Sequence, residues 1–261
     1  MTTSFSIAID HATLVGDRRE GMGVPLMLVH GFGGSRHDWQ PVVEALPSTL
    51  PLVTFDQRNF GQSTGDAGTA FSHAGDLLAL MDALEIELAD LCGMSLGGAT
   101  VLNFALSYPQ RVRRLILVSP LIVGWSWSDD WIERWKAIGR KARAGDLDAA
   151  RELWWQHPLF AAARSCPNAC LLRTSITAFH GRQWVQDDQR PELPETERLH
   201  TLAPPTLLLT GALDTLDFRL IADVIAASSA QVERIDFADA GHLLNLEKPG
   251  ELAAQIARFV R

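Results

Sequence analysis

Short runs of apolar residues bounded by turn formers alternate along the chain with longer stretches in which apolar residues return every three or four positions. The short runs read as strands over 5–9, 12–15, 26–29, 52–55, 89–92, 115–118, 206–209 and 232–236. The longer stretches read as helices over 37–46, 71–84, 96–107, 218–227 and 249–260, each between two strands or closing the chain. Such alternation predicts an α/β fold, an eight-stranded and mainly parallel sheet with helices on both faces.

The alternation stops between residues 120 and 203, where helical patterns continue and no convincing strand occurs. A helical cap inserted after the sixth strand is therefore expected, with the core formed by 1–119 and 204–261. Within it, Ser128-Asp129-Asp130 reads as a cap residue followed by acids, and Trp131, Trp135, Ile138 and Ala142 repeat at helical spacing. Arg140, Lys141 and Arg143 suit the negative end of that helix before Gly145, and a second helix over 146–156 must stop before Pro158. Seven of the eight tryptophans lie here: Trp125, Trp127, Trp131, Trp135, Trp154, Trp155 and Trp184. Flat apolar area of this kind either docks a small helical unit on its core or lines a pocket. The pattern leaves both uses open, and Met94, Trp125, Trp131 and Trp154 are the pocket candidates.

Composition narrows the classes. With 261 residues, 47% of them hydrophobic, the chain can bury a sizeable core. Its 23 basic and 31 acidic residues leave a charge of −8, so no domain-wide positive field exists to hold a phosphate backbone and nucleic acid is not an expected partner. Cys92, Cys166 and Cys170 are an odd number in a chain too large to need staples, which suits the reducing cytoplasm. The last two are spaced to share a helix face, but no second Cys or His pair completes a metal site, and neither metal nor cofactor is expected. Residues 1–9 lack the basic and apolar regions of a signal peptide, and no apolar run reaches about 18 residues, so no membrane association is expected. Arg111, Arg113 and Arg114, after Pro109, read as a solvated loop.

The candidate chemistry lies where strands end. Gly93-Met94-Ser95-Leu96-Gly97-Gly98 follows a strand and opens a helix, the context that makes G-x-S-x-G a nucleophile turn. Glycines on either side remove the Cβ atoms that would collide in so sharp a reversal, and the helix start aims free N–H groups at any oxyanion formed there. A serine needs a base, and His242 in Asp239-Ala240-Gly241-His242 occupies a loop between the last strand and the last helix. His11, His37, His73, His157, His180 and His200 lack comparable context and read as surface or cap residues. The base needs a carboxylate to fix its tautomer. Asp214 stands nearest the end of strand 206–209, Asp217 competes, and the position after the strand ending at Val118 is Ser119 rather than an acid. His30-Gly31-Phe32-Gly33-Gly34-Ser35 offers a second oxyanion donor, so the N–H groups of Phe32 and Leu96 are the expected pair, with His30 holding the loop rather than moving protons. The Asp56 to Ser63 segment reads as an architectural turn.

In these four motifs, and in Gly241-His242 leading to Asn245-Leu246-Glu247-Lys248-Pro249, the chain resembles the α/β-hydrolases over essentially its whole length. It departs from them in Asn59, where many relatives carry Gly, and in Met94, where His or Tyr is usual. The resemblance implies a Ser-Asp-His triad of Ser95, Asp214 and His242, and relatives that include carboxylesterases, enol-lactonases, carbon–carbon hydrolases and a lyase of menaquinone synthesis. The expected function is cofactor-independent hydrolysis of a small carboxylic ester or lactone through an acyl-enzyme. Carbon–carbon cleavage or a lyase step with the same triad would be favoured by an arginine facing the pocket, for which Arg36, Arg164, Arg173 and Arg182 are the candidates, each otherwise expected on a solvated surface. A ligand receptor of the same fold is a third expectation. The expected partners are the small-molecule substrate and a second copy in a homodimer.

Overall fold

A computed structural model of the chain describes residues 2–190 and 192–261; residues 1 and 191, which fall in the expected core and cap, lie outside the described residues. The sheet comprises β1 (Thr2–Ile9), β2 (Ala12–Arg19), β3 (Leu26–Val29), β4 (Leu52–Phe55), β5 (Thr64–Gly65), β6 (Ala89–Met94), β7 (Val112–Val118), β8 (Thr206–Gly211) and β9 (Val232–Phe237). Helices are α1 (Gln40–Ala45), α2 (His73–Ala83), α3 (Leu96–Ser107), α4 (Asp129–Arg143), α5 (Leu147–Trp155), α6 (Ala169–Ala178), α7 (Arg182–Val185), α8 (Leu216–Ser228), α9 (Leu244–Glu247) and α10 (Pro249–Phe259). Strand order is β1-β2-β4-β3-β6-β7-β8-β9, antiparallel from β1 to β4 and parallel from there on. The sheet has nine strands rather than eight, because Thr64 and Gly65 pair with Thr13 and Ala12 without any apolar run to announce them.

The buried runs LMLV in β3, LILV in β7 and LLL in β8 suit central parallel strands covered on both faces. Their side chains alternate between two cores. Leu26, Leu28, Ile116 and Val118 join Trp39, Val42, Leu252 and Ile256 on the face of α1 and α10. Met27, Val29, Leu115 and Leu117 join Leu77, Val101 and Ile221 on the face of α2, α3 and α8.

Several expected surface residues prove to be partly or wholly buried. Arg113 and Arg114 lie in β7, not in a loop, because the strand begins directly after the turn at Pro109–Arg111. Arg113 pairs with the fully buried Asp90 at 2.5 Å. Arg36 is also buried, held by Asp17 at 2.7 Å and by Asp56 at 2.5 Å. Asp56 also accepts the N–H groups of Arg36 and Gln62, so it organises the turn that follows β4. Asn59 in that turn takes φ +62°, a left-handed conformation Asn tolerates. His73 opens α2 and is buried against Phe60 and Phe71, where burial pushes its imidazole down to about 3 and keeps it neutral.

The segment between β7 and β8 carries α4 to α7 and shares the first core: Ile138, Trp154, Phe160, Leu172, Ile176 and Trp184 are buried with Trp39 and Met94. Ser128 accepts the Trp131 N–H and Asp146 that of Ala149, so each caps its helix as the sequence pattern requires. Cys166 and Cys170 do not share a helix face, because α6 begins only at Ala169 and the Cys166 thiol turns to the Leu246 carbonyl at 3.5 Å. Among the described residues no helix is long and apolar enough to cross a membrane.

The two ends of this segment are clasped together by Glu195. Its N–H donates to the Val123 carbonyl at 2.9 Å, and its carboxyl accepts the Val123 N–H at 2.9 Å. Burial pushes the Glu195 carboxyl up to about 8, with the charge of Glu192 adding to the effect. The unfolded chain therefore releases this proton first, so the stability it contributes is complete below about 4.5 and falls as pH rises toward about 8. Measured by chemical denaturation, the stability of the natural chain relative to Glu195→Gln should fall across this range; a difference that does not change with pH contradicts the clasp.

Candidate active site

Parallel pairing brings the reactive loops together. β3 and β6 are neighbours, with Val29 opposite Gly93, and the chain leaves β3 toward β4 on one side while β6 lies on the other. Such a switch point opens a crevice at the carboxyl ends of the strands. The loop after β3 therefore meets the turn after β6.

At that turn Ser95 is the single residue between β6 and α3, with φ +54° and ψ −114°. A side chain there costs about 1–3 kcal/mol and persists only where the surroundings over-determine it. They do so here: the Ser95 N–H donates to the Val118 carbonyl at 3.0 Å, and its carbonyl accepts from Ala99 at 3.1 Å and Leu121 at 3.2 Å. A Cβ at Gly93 would strike the Gly97 carbonyl, and one at Gly97 the carbonyls of Val29 and His30. At Gly31 a Cβ would come to 2.9 Å from Met94 Cε and 3.4 Å from Ser95 Cβ, so the loop carrying Phe32 lies directly against the serine. The first-turn N–H groups of α3, Leu96 included, have no intrahelical acceptor.

His30 is fully engaged. Its Nδ1 lies 2.8 Å from the Gly31 carbonyl, and its Nε2 accepts the Gln57 N–H at 3.0 Å. Gln57 donates back to the His30 carbonyl and accepts from Thr100. This ring ties two loops together.

β8 and β9 run side by side with Gly211 opposite Phe237, and Leu213 N–H donates to the Ala240 carbonyl at 2.9 Å. The structure thus brings Asp214 and His242 together, with Nδ1 2.8 Å from Oδ2. The other carboxylate oxygen accepts the Thr215 N–H at 2.7 Å. His242 is 1% exposed, and its Nε2 finds no hydrogen-bond partner among the described residues. Glu247 brackets the ring by accepting the N–H groups of Gly241 at 2.5 Å and Leu243 at 2.9 Å. Phe218 packs edge-on against it at 4.3 Å.

Asp217, the competing acid, serves elsewhere. It accepts from Trp125 Nε1 at 3.1 Å, Ser128 N–H at 3.2 Å and Ser128 Oγ at 2.6 Å, tying the cap's entry to the first turn of α8. This bond turns Trp125 away from the cavity, correcting its place among the pocket residues. Ser95, His242, Gly31 and Phe32 line one cavity of about 480 Å³ together with Met94, Trp131 and Trp154. Trp127, Trp135 and Phe218 also line it and were missed, although Trp135 stands one helical turn from Trp131 and that spacing signals a shared face. Trp155 lies under the Arg173 guanidinium instead. His157 is buried against Trp131 and Trp154, and burial pushes it down to about 4, leaving it uncharged beside the site.

The family model for the alpha/beta hydrolase fold matches residues 24–249. The chain belongs to this family. It is 26% identical over 242 residues to 3-oxoadipate enol-lactonase 1 of Acinetobacter baylyi, an alignment covering 90% of this chain and 88% of that one. It is 27% identical over 269 residues to the 2-hydroxymuconate semialdehyde hydrolase of a Pseudomonas species, covering 92% and 88%. The solved structure of a thermophilic esterase from Thermogutta terrifontis, with malate bound, superposes with a TM-score of 0.83 at 25% identity over 99% of this chain and 98% of that one. Family and relatives together support a hydrolase.

Removing the Asp217 charge should loosen the cap of this α/β hydrolase without touching the Asp214–His242 pair. Asp217→Asn weakens three hydrogen bonds to a buried carboxylate, an expected loss of about 1.5–3 kcal/mol in stability with faster amide exchange at Ser128. Unchanged exchange at Ser128 contradicts the anchoring role.

Proposed function

We propose that this α/β hydrolase is a cofactor-independent serine hydrolase that cleaves a small, uncharged carboxylic ester or lactone through an acyl-enzyme at Ser95. The observation that carries the proposal is the His242 ring, held at Nδ1 by Asp214, free at Nε2 and sharing a cavity with a serine in strained backbone. His242 Nε2 takes the Ser95 proton as Oγ attacks the carbonyl carbon, and Asp214 stabilises the imidazolium. The N–H groups of Phe32 and Leu96 receive the oxyanion, each worth about 3–4 kcal/mol in the transition state. The imidazolium then protonates the leaving alkoxide, and the same ring activates the water that releases the acid. The aromatic cap excludes bulk solvent during these steps.

Ester or lactone cleavage is favoured over carbon–carbon cleavage of carboxylate-bearing substrates by where the arginines go. Arg36 is spent on Asp17 and Asp56, Arg164 on the carbonyls of Trp155 and His157, Arg173 on Glu152, and Arg182 on Asp188. Among the described residues the only cation lining the cavity is Lys136, exposed and paired with Glu133 at 2.9 Å. The three unpaired cysteine thiols agree with a reducing, cytoplasmic setting.

With a short p-nitrophenyl ester, Ser95→Ala and Asp214→Asn should each lower kcat by about 10⁴-fold or more, whereas Asp217→Asn should retain most of it. Full turnover by Ser95→Ala would refute the assignment, and so would faster turnover of a carbon–carbon dicarbonyl substrate than of any ester.

A further inference from the structure

The wall over Ser95 is made of rings contributed by both bodies: Phe32 from the loop after β3, Phe218 from α8, and Trp127, Trp131, Trp135 and Trp154 from the cap. Phe32 meets Trp135 and Trp154 edge-on, with centroids 5.0 and 5.9 Å apart, and Trp127 lies flat on Trp131 at 4.4 Å. Each ring is therefore fixed by the next. Trp127, Trp131 and Trp135 are only half-buried, so part of the indole surface that the protein leaves uncovered faces this cavity. The about 480 Å³ enclosed falls within the usual range for small-molecule sites. Among the described residues only two unlike charges outside the Asp214–His242 pair reach it, Lys136 and Asp187, both exposed, so neither sign of ion is selected.

Building on the hydrolase reading, we propose that the group bound here is an uncharged aromatic ring of phenyl to naphthyl size carried on the ester. An aliphatic group of equal size buries the same area, but only a flat ring adds edge-to-face or offset-stacked pairing with the wall. Each such pair is worth about two- to tenfold in binding beyond area alone. A cation would gain from the ring faces but would give up its hydration where the opposite charges of Lys136 and Asp187 offset. A carboxylate would lose its hydration with no arginine to replace it.

The test compares benzyl acetate with cyclohexylmethyl acetate. Both attach the ring through a methylene, so the leaving alcohols are of similar acidity and the ester chemistry is matched. The expected result is a kcat/KM about tenfold higher for the benzyl ester, expressed in KM, that shrinks toward parity in Trp131→Leu and is kept in Trp131→Phe. Being a ratio within one protein, it is insensitive to any loss of folded fraction. Titrating Ser95→Ala with each ester and following indole fluorescence reads the same preference without turnover. Equal kcat/KM and equal binding for the two rings would overturn the proposal while leaving Ser95-dependent hydrolysis intact. Absence of Ser95-dependent turnover with preferential benzyl binding would overturn the hydrolase reading and keep the aromatic site. Acetylcholine cleaved faster than its neutral isostere 3,3-dimethylbutyl acetate, or 4-carboxybenzyl acetate cleaved as fast as benzyl acetate, would overturn the uncharged class.

Discussion

The proposed chemistry of this molecule depends on one backbone constraint: a single residue, Ser95, must reverse the chain from β6 into α3 at a positive φ. That conformation is unfavourable for any side chain, and it holds because the Val118 carbonyl of β7 and the Leu121 N–H just after it hydrogen-bond Ser95 from outside the turn, while the Ala99 N–H of α3 holds its carbonyl. Glycines at 93 and 97 keep the crossing clear, and the loop from β3 packs on the serine through Gly31. The strain is thus supported by the sheet, which is why the hydroxyl stands at a fixed place on its carboxyl edge rather than on a mobile loop.

Sheet order does the rest. The β3–β6 pairing delivers the loop that carries Phe32 and the β8–β9 pairing delivers the Asp214–His242 pair, from opposite sides of the same crevice. The cap closes above them because its apolar residues share a core with the sheet. Polar fasteners lie where the chain enters and leaves it, Asp217 under Trp125 and Ser128 and Glu195 across Val123, and another holds its interior, Asp38 accepting Ser175 Oγ from α6 at 2.5 Å. Cap tryptophans accordingly divide. Trp184 is a buried docking residue, Trp125 is a fastener, Trp127, Trp131 and Trp135 face the cavity, and the buried Trp154 does both, packing in the core and lining the cavity.

Much of this was legible beforehand, for physical reasons. Buried parallel strands are dense apolar runs, and the serine turn needs small residues at fixed offsets, so both leave local marks in the sequence. What stayed hidden depends on contacts between distant segments. Arg36 and Arg113 look like surface cations until Asp56, from the turn after β4, and Asp90, from β6, arrive to pair with them. Helix α7 is four residues long and β5 is two, so neither carries a periodic signal, and α6, although Leu172 and Ile176 stand four apart, has no side-chain cap to mark its start. Asp214 and Asp217 are three residues apart on one turn, and only the placement of His242 and of Trp125 distinguishes them.

The most direct test of the account is to label the protein with a fluorophosphonate and locate the adduct by mass spectrometry, in the natural chain and in His242→Ala. The account predicts one adduct, on Ser95, formed quickly in the natural chain and far more slowly without the imidazole. An adduct on another residue, or equally fast labelling of Ser95 in the variant, would contradict it.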